Sequence, residues 1–183
     1  YFGGKEGLYR ACMEGFALER IALTERVLKT PQSREDFKLR LKLFAEEFIE
    51  VHIKDRNTCK MIHRGMDSLD EISADLFKNV FVRLFETLRQ FVAAAQKAGF
   101  VRKTLPSETA TAIMIGSLLH VIRAEDIRKI IGGSSLAEPK FARQVIDTWL
   151  EMTTMGMFAP APPATTTTTT ATQKPNAKHE TES

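Results

Sequence analysis

Apolar residues recur along most of this chain at alternating three- and four-residue steps, and strand-like alternation is nearly absent. The pattern predicts an all-α fold of about six helices. The first spans 5–29, with Leu8, Ala11, Gly15, Leu18 and Ala22 as its expected buried stripe, and Pro31 ends it because a prolyl nitrogen cannot donate to the preceding turn. Ser33 is placed to cap a second helix running to residue 54, with Asp36 in its first turn and Phe37, Leu41, Phe44, Phe48 and Val51 along one face. A short third helix fits 58–65. Ser68 and Glu71 then have the Ser-x-x-Glu spacing of a capping box, opening a long helix to residue 98 with Ile72, Leu76, Val80, Leu84, Leu88 and Phe91 inward.

Gly99 suits the position just past that helix, where a left-handed backbone is common. Pro106 and Glu108 open the next, expected to run unbroken to residue 131, until Gly132-Gly133-Ser134-Ser135 interrupts the pattern. The last helix spans 138–158 and carries Phe141, Val145, Trp149 and Met152. Beyond it the composition changes to Pro, Ala and a run of six threonines, Thr165–Thr170. Such a segment has too little apolar surface to offset chain entropy, so 159–183 is expected to be a disordered tail.

A chain of 183 residues, 43% of them hydrophobic, is long enough for one domain with a sizeable core. The net charge of +3 is too small to diagnose nucleic-acid binding by itself. Two cysteines, Cys12 and Cys59, provide no disulfide framework and fit a reducing cytoplasm, and no apolar run approaches the roughly 20 residues that span a bilayer. The four histidines (His52, His63, His120, His179) are scattered, and no nucleophile elbow, phosphate-binding loop or His-Glu-x-x-His helix is present. Asp67, Asp70, Glu71 and Asp75 straddle a predicted helix start, where acidic groups favour the helix dipole, and are read that way rather than as metal ligands. No catalytic site, metal site or cofactor is expected.

The first eight residues, Tyr1-Phe2-Gly3-Gly4-Lys5-Glu6-Gly7-Leu8, carry a more specific signal. Two glycines permit a tight turn, and a lysine follows at a helix start whose backbone N–H groups would favour an anion such as a DNA phosphate. The stretch resembles the end of the helix-turn-helix of the TetR/AcrR family of bacterial transcriptional regulators, usually aromatic-aromatic-x-Phe-Gly-Ser/Asn-Lys-Glu-x-Leu. Tyr1, Phe2, Gly3, Lys5, Glu6 and Leu8 fall on that form, and Gly4 stands where Ser or Asn is more common.

The resemblance implies three units: the end of a DNA-reading head over 1–4, a helical ligand-binding and dimerising body over 5–158, and the tail. The rest of the head would precede Tyr1. Tyr1 and Lys5 would bind backbone phosphates. The last two predicted helices would pair with those of a second copy as a four-helix homodimer seam, using Ala110, Ile113, Gly116, Ser117, Phe141, Val145, Trp149 and Met152. A small apolar or amphipathic effector would bind among Phe44, Phe48, His52, Met61, Met66, Phe81, Phe85, Met114 and His120, with the two histidines supplying polar contacts. His63 and Arg64 would stand near the pocket mouth. These implications describe a cytoplasmic, DNA-binding repressor that is released by its ligand and touches no membrane. Read from their periodicity alone, the same stripes also fit plain core, and the whole chain also fits a helical dimerisation or adaptor module that binds neither DNA nor ligand.

Overall fold

The computed structural model describes residues 4–60 and 71–158, with side chains at all of these but 5, 6, 9, 10, 12, 13 and 71–80. The fold is all-α. Its helices are α1 (Lys5–Val27), α2 (Arg34–Lys54), α3 (Glu71–Lys97), α4 (Ser107–Arg123), α5 (Glu125–Ile130) and α6 (Pro139–Met157). Among the described residues the only β pairing is an isolated antiparallel bridge between Val101 and Phe158. None of the described helices is long and apolar enough to cross a membrane.

The helix ends follow from local chemistry. Gly4 adopts φ 100°, a left-handed conformation that a Cβ would strain, and α1 begins at the next residue. At the other end of α1 the Arg40 guanidinium donates to the Val27 carbonyl at 2.9 Å, satisfying one of the orphan acceptors there. Ser33 caps α2 as its sequence position predicts, its Oγ accepting from the Asp36 N–H at 3.0 Å. Asp36 Oδ2 reaches back to the Gln32 N–H at 2.9 Å, so two exposed donors are satisfied reciprocally. Gly99, at φ 81°, terminates α3 in a Schellman arrangement, with Phe100 N–H donating to the Ala95 carbonyl at 2.9 Å and Gly99 N–H to that of Gln96 at 3.1 Å.

The core forms where α2, α3, α4 and α6 converge. Phe37, Leu41, Leu88, Val92, Ala95 and Leu118 are fully enclosed there, with Phe44, Ile49, Phe91, Met114, Ile115 and Ile146 nearly so. Phe37 and Phe91 stack with ring centroids 4.8 Å apart and planes within 2°. Each such ring contributes roughly 2–3 kcal/mol by leaving water. Around this centre α1 lies along α3, α3 packs on α4, and α2 packs on α6. The loop after α3 is tied to the end of α6 by Arg102 N–H donating to the Met157 carbonyl at 2.9 Å.

Two expectations are corrected. The buried face of α1 is Ala17, Ile21 and Thr24, continued by its C-cap Leu28, whereas Leu8, Gly15, Leu18 and Ala22 of the expected stripe are exposed. Apolar residues lie on several sides of this helix, so periodicity gives no single direction. Its rotation agrees instead with ion pairs: Arg20 to Glu47 of α2 at 2.8 Å, and Glu25 to Arg83 of α3 at 2.9 Å. Second, the helix expected over 106–131 breaks at Ala124, and α5 is a separate short helix. The buried Glu125 carboxylate explains the break, because it turns inward to accept from the backbone N–H of Leu136 at 3.1 Å and the Ser135 hydroxyl at 2.5 Å. The buried face of α6 is Ile146, Trp149, Leu150, Thr154 and Met157, and Met152 faces solvent. Helical backbone resumes at 56–60 after α2. The rest of the predicted third helix, Ser68 of the predicted capping box and the tail lie outside the described residues.

Candidate functional site

Three regions of the fold bear on function: an aromatic cluster beside the core, the outward face of α4, α5 and α6, and the contacts that hold α1.

The aromatic cluster arises because α2 presents residues at one-turn intervals. Phe44, Phe48 and His52 follow one another along it as tilted ring pairs, with centroids 5.7 Å apart for the first pair and 4.5 Å for the second. On α3 the same spacing brings Phe81 and Phe85 to 6.3 Å. Phe44 and Met114 belong to the buried core, and Phe48, Phe81 and Phe85 are half-buried against it. His52 Nδ1 lies 2.6 Å from the Phe48 carbonyl, and a carbonyl can only accept, so Nδ1 carries the proton. Burial pushes the His52 pKa down, and the hydrogen bond to Phe48 opposes this only in part. The imidazole is therefore neutral near pH 7, with Nε2 as an acceptor. The arrangement suits apolar and aromatic surface with one neutral polar group.

His120 does not join this cluster; it is exposed, and its helical spacing puts it with Ile113 and Ser117 on the outer side of α4. Met61 and Met66 lie outside the described residues, as do His63 and Arg64. Tyr1 also lies outside them, and of Lys5 only the helical backbone is described.

Two side-chain contacts tie α6 to α4 and α5. Trp149 Nε1 of α6 donates to Ser117 Oγ of α4 at 2.9 Å, and the Arg128 guanidinium of α5 covers the Phe141 ring at 5.4 Å. Of the residues expected at a seam, Ile113, Gly116, Ser117 and Met152 are exposed, Ala110, Phe141 and Val145 are half-buried, and Trp149 is buried within its own protomer. Sequence reasoning missed Met155 on α6, Ile127 and Ile130 on α5 and its C-cap Ile131, all exposed.

A polar knot holds that end of the pair. The Glu125 carboxylate accepts from Arg128 Nη2 at 2.7 Å, from Ser135 and from Leu136, while Arg128 Nη1 donates to the Val121 carbonyl at 2.8 Å. Burial acts to raise the Glu125 pKa, but these hydrogen bonds and the Arg128 charge outweigh it and hold the group at about 2. No signal in the sequence separates this knot from an ordinary solvated i,i+3 pair.

The contacts of α1 were equally invisible. Arg20 pairs with Glu47 at 2.8 Å and approaches Asp55 at 3.7 Å, spanning the second half of α2, and its guanidinium lies 5.4 Å over the Phe16 ring. Below Asp55, Cys59 is buried, and desolvation with the Asp55 charge pushes its thiol up to about 11. Such a thiol is a poor nucleophile. No group of three or more metal-ligating side chains occurs among the described residues. In comparisons with known proteins, the chain matches no family model and no curated protein.

Proposed function

We propose that the chain is the body of a TetR/AcrR-type transcriptional repressor, a cytoplasmic homodimer whose DNA-reading heads are released by a small apolar or amphipathic ligand. The feature that carries the reading is α1. It starts at Lys5 directly after the left-handed Gly4, inside the stretch that resembles the family, and continues for 23 residues. At 1.5 Å per residue such a rod is roughly 34 Å long. Its far half is clamped by Arg20 to α2 and by Glu25 to α3, the two helices that carry the aromatic cluster.

Two heads must stand roughly 34–36 Å apart to enter successive major grooves. A ligand seated among Phe44, Phe48, His52, Phe81 and Phe85 would move α2 against α3 and, through those clamps, tilt α1. If it binds better to the tilted state, DNA affinity falls; a coupling of about 1–3 kcal/mol is typical. The outward face of α4 and α6 supplies the seam between copies.

The rival reading, a dimerisation module without DNA or ligand, draws on the same exposed apolar face. One experiment separates the two. The protein carrying the residues encoded ahead of Tyr1 is used to select DNA from a random pool, and the product is footprinted. A palindrome with half-sites one helical turn apart supports the repressor; no enrichment over the random pool leaves the dimerisation module.

A further inference from the structure

We propose that the ion pairs meeting at the Asp55–Arg56 joint couple α1 to α5, so that whatever shifts one helix biases the other. The inference deepens the proposed function by giving the α1 rod a regulator. It rests on that reading for the use of the coupling and not for its existence.

The charges come first. Arg20 of α1 pairs with Glu47 of α2 at 2.8 Å and approaches Asp55, the C-cap of α2, at 3.7 Å. The next residue, Arg56, pairs with Asp126 in the first turn of α5, and Lys60, one turn on, reaches the other oxygen of that carboxylate at 2.9 Å. Glu47, Asp55 and Asp126 thus alternate with Arg20, Arg56 and Lys60 along a path from α1 to α5. An isolated exposed pair contributes little, but Arg20 is shared by two carboxylates and Asp126 by two cations, and networks of this kind do contribute.

The backbone joins the two clusters. The Asp55 N–H donates to the Val51 carbonyl at 2.8 Å, and the Asp55 carbonyl accepts from the Cys59 N–H at 2.9 Å. The joint is therefore bonded to the helix before it and to the turn after it, and Cys59 buries that turn against the body. A displacement of Asp55 is passed to Arg56 and Lys60, because no loose loop lies between them to absorb it.

α5 is suited to respond. With six residues it is too short to be stable by itself, so its place depends on tertiary contacts. Asp126 supplies one anchor, and the Glu125–Arg128 knot, tied to the Val121 carbonyl of α4, supplies another. α1 has a comparable pair of clamps, Arg20 to α2 and Glu25 to α3. Each helix thus shares one of its anchors with the joint, and linkage makes the effect reciprocal: a contact that fixes α5 steadies α1 by the same factor.

The test is amide hydrogen exchange of the full chain, read by NMR, in wild type, Arg20→Gln, Asp126→Asn and the double variant. Arg20→Gln is expected to speed exchange of the Arg128 and Ile131 amides, which close α5 onto the Ala124 and Ile127 carbonyls, although Arg20 itself pairs with α2. The expected factor is about three, the size that ion pairs of this exposure give. Asp126→Asn should speed the α1 amides around Arg20 by a similar factor. In the double variant α5 should exchange no faster than in Asp126→Asn, since both substitutions cut one path. Ala98 and Phe100 at the end of α3 should keep their wild-type rates. Unchanged α5 exchange in Arg20→Gln, factors that multiply in the double variant, or equal acceleration at Ala98 and Phe100 overturns the proposal. Asp55→Asn breaks the joint itself and is read by the same criteria should Arg20→Gln fail to fold. Coupling in a protein that selects no DNA upholds this inference while the repressor reading falls; a selected palindrome without coupling does the reverse.

Discussion

Trp149 donates its indole N–H to the Ser117 hydroxyl at 2.9 Å, and that hydroxyl in turn donates to the Met114 carbonyl at 3.0 Å, so one serine joins α6 to α4. The bond lies inside a single protomer, where the tryptophan is only 8% exposed. Trp149 is therefore covered by its own chain, whereas Ile113 and Met152 face solvent.

Two outcomes follow for this pair. Ser117→Ala orphans a nearly buried donor and should cost about 1–2 kcal/mol, read as a lower midpoint in urea unfolding. Because its own protomer buries the indole, tryptophan emission should stay blue-shifted as the protein is diluted. A red shift that tracks dissociation would mean that a second copy shields the ring.

Glu125 makes stability depend on acid. Its pKa is about 2 in the fold and near 4.5 ordinarily, so its contribution is complete above pH 4.5 and is lost as pH falls through about 2. The shift corresponds to about 3 kcal/mol. Glu125→Gln should be less stable than wild type by about 2 kcal/mol at pH 7, and the gap should close on acidification. A gap that is constant from pH 7 to pH 2, measured by denaturant titration, would remove the carboxylate charge from the account.

Cys59 should resist thiol reagents. In a Cys12→Ser background at pH 8, its thiolate fraction is about a hundredfold below that of an ordinary thiol, and burial slows access further. Labelling with an aromatic disulfide should proceed only at the rate at which the protein opens, and should become fast in urea. Rapid stoichiometric labelling of the folded chain would show the thiol to be accessible.

Lys5 tests the proposed DNA contact at the start of α1. In the protein with its encoded upstream residues, Lys5→Ala should weaken binding to specific and random DNA alike and flatten log K against log salt by roughly 0.9, one phosphate's share. An unaltered slope removes Lys5 from the phosphate contacts.

Local rules and tertiary demands divide cleanly along this chain. The caps at Ser33 and Gly99, Pro106 at the start of α4 and the one-turn rhythm of Phe37, Leu41 and Phe44 act over a few residues, so the sequence alone determined an all-α fold and most helix ends. Three things needed the assembled protein. The rotation of α1 accords with its pairing to Glu47 and Arg83, charges that belong to other helices, because its own apolar residues mark no single face. The break at Ala124 needs Ser135 and Leu136, about ten residues further on, to draw the Glu125 carboxylate inward. The exposure of Ile127, Ile130 and Ile131 is a consequence of that break. Periodicity records which residues share a face; which face meets solvent is settled by partners distant in sequence.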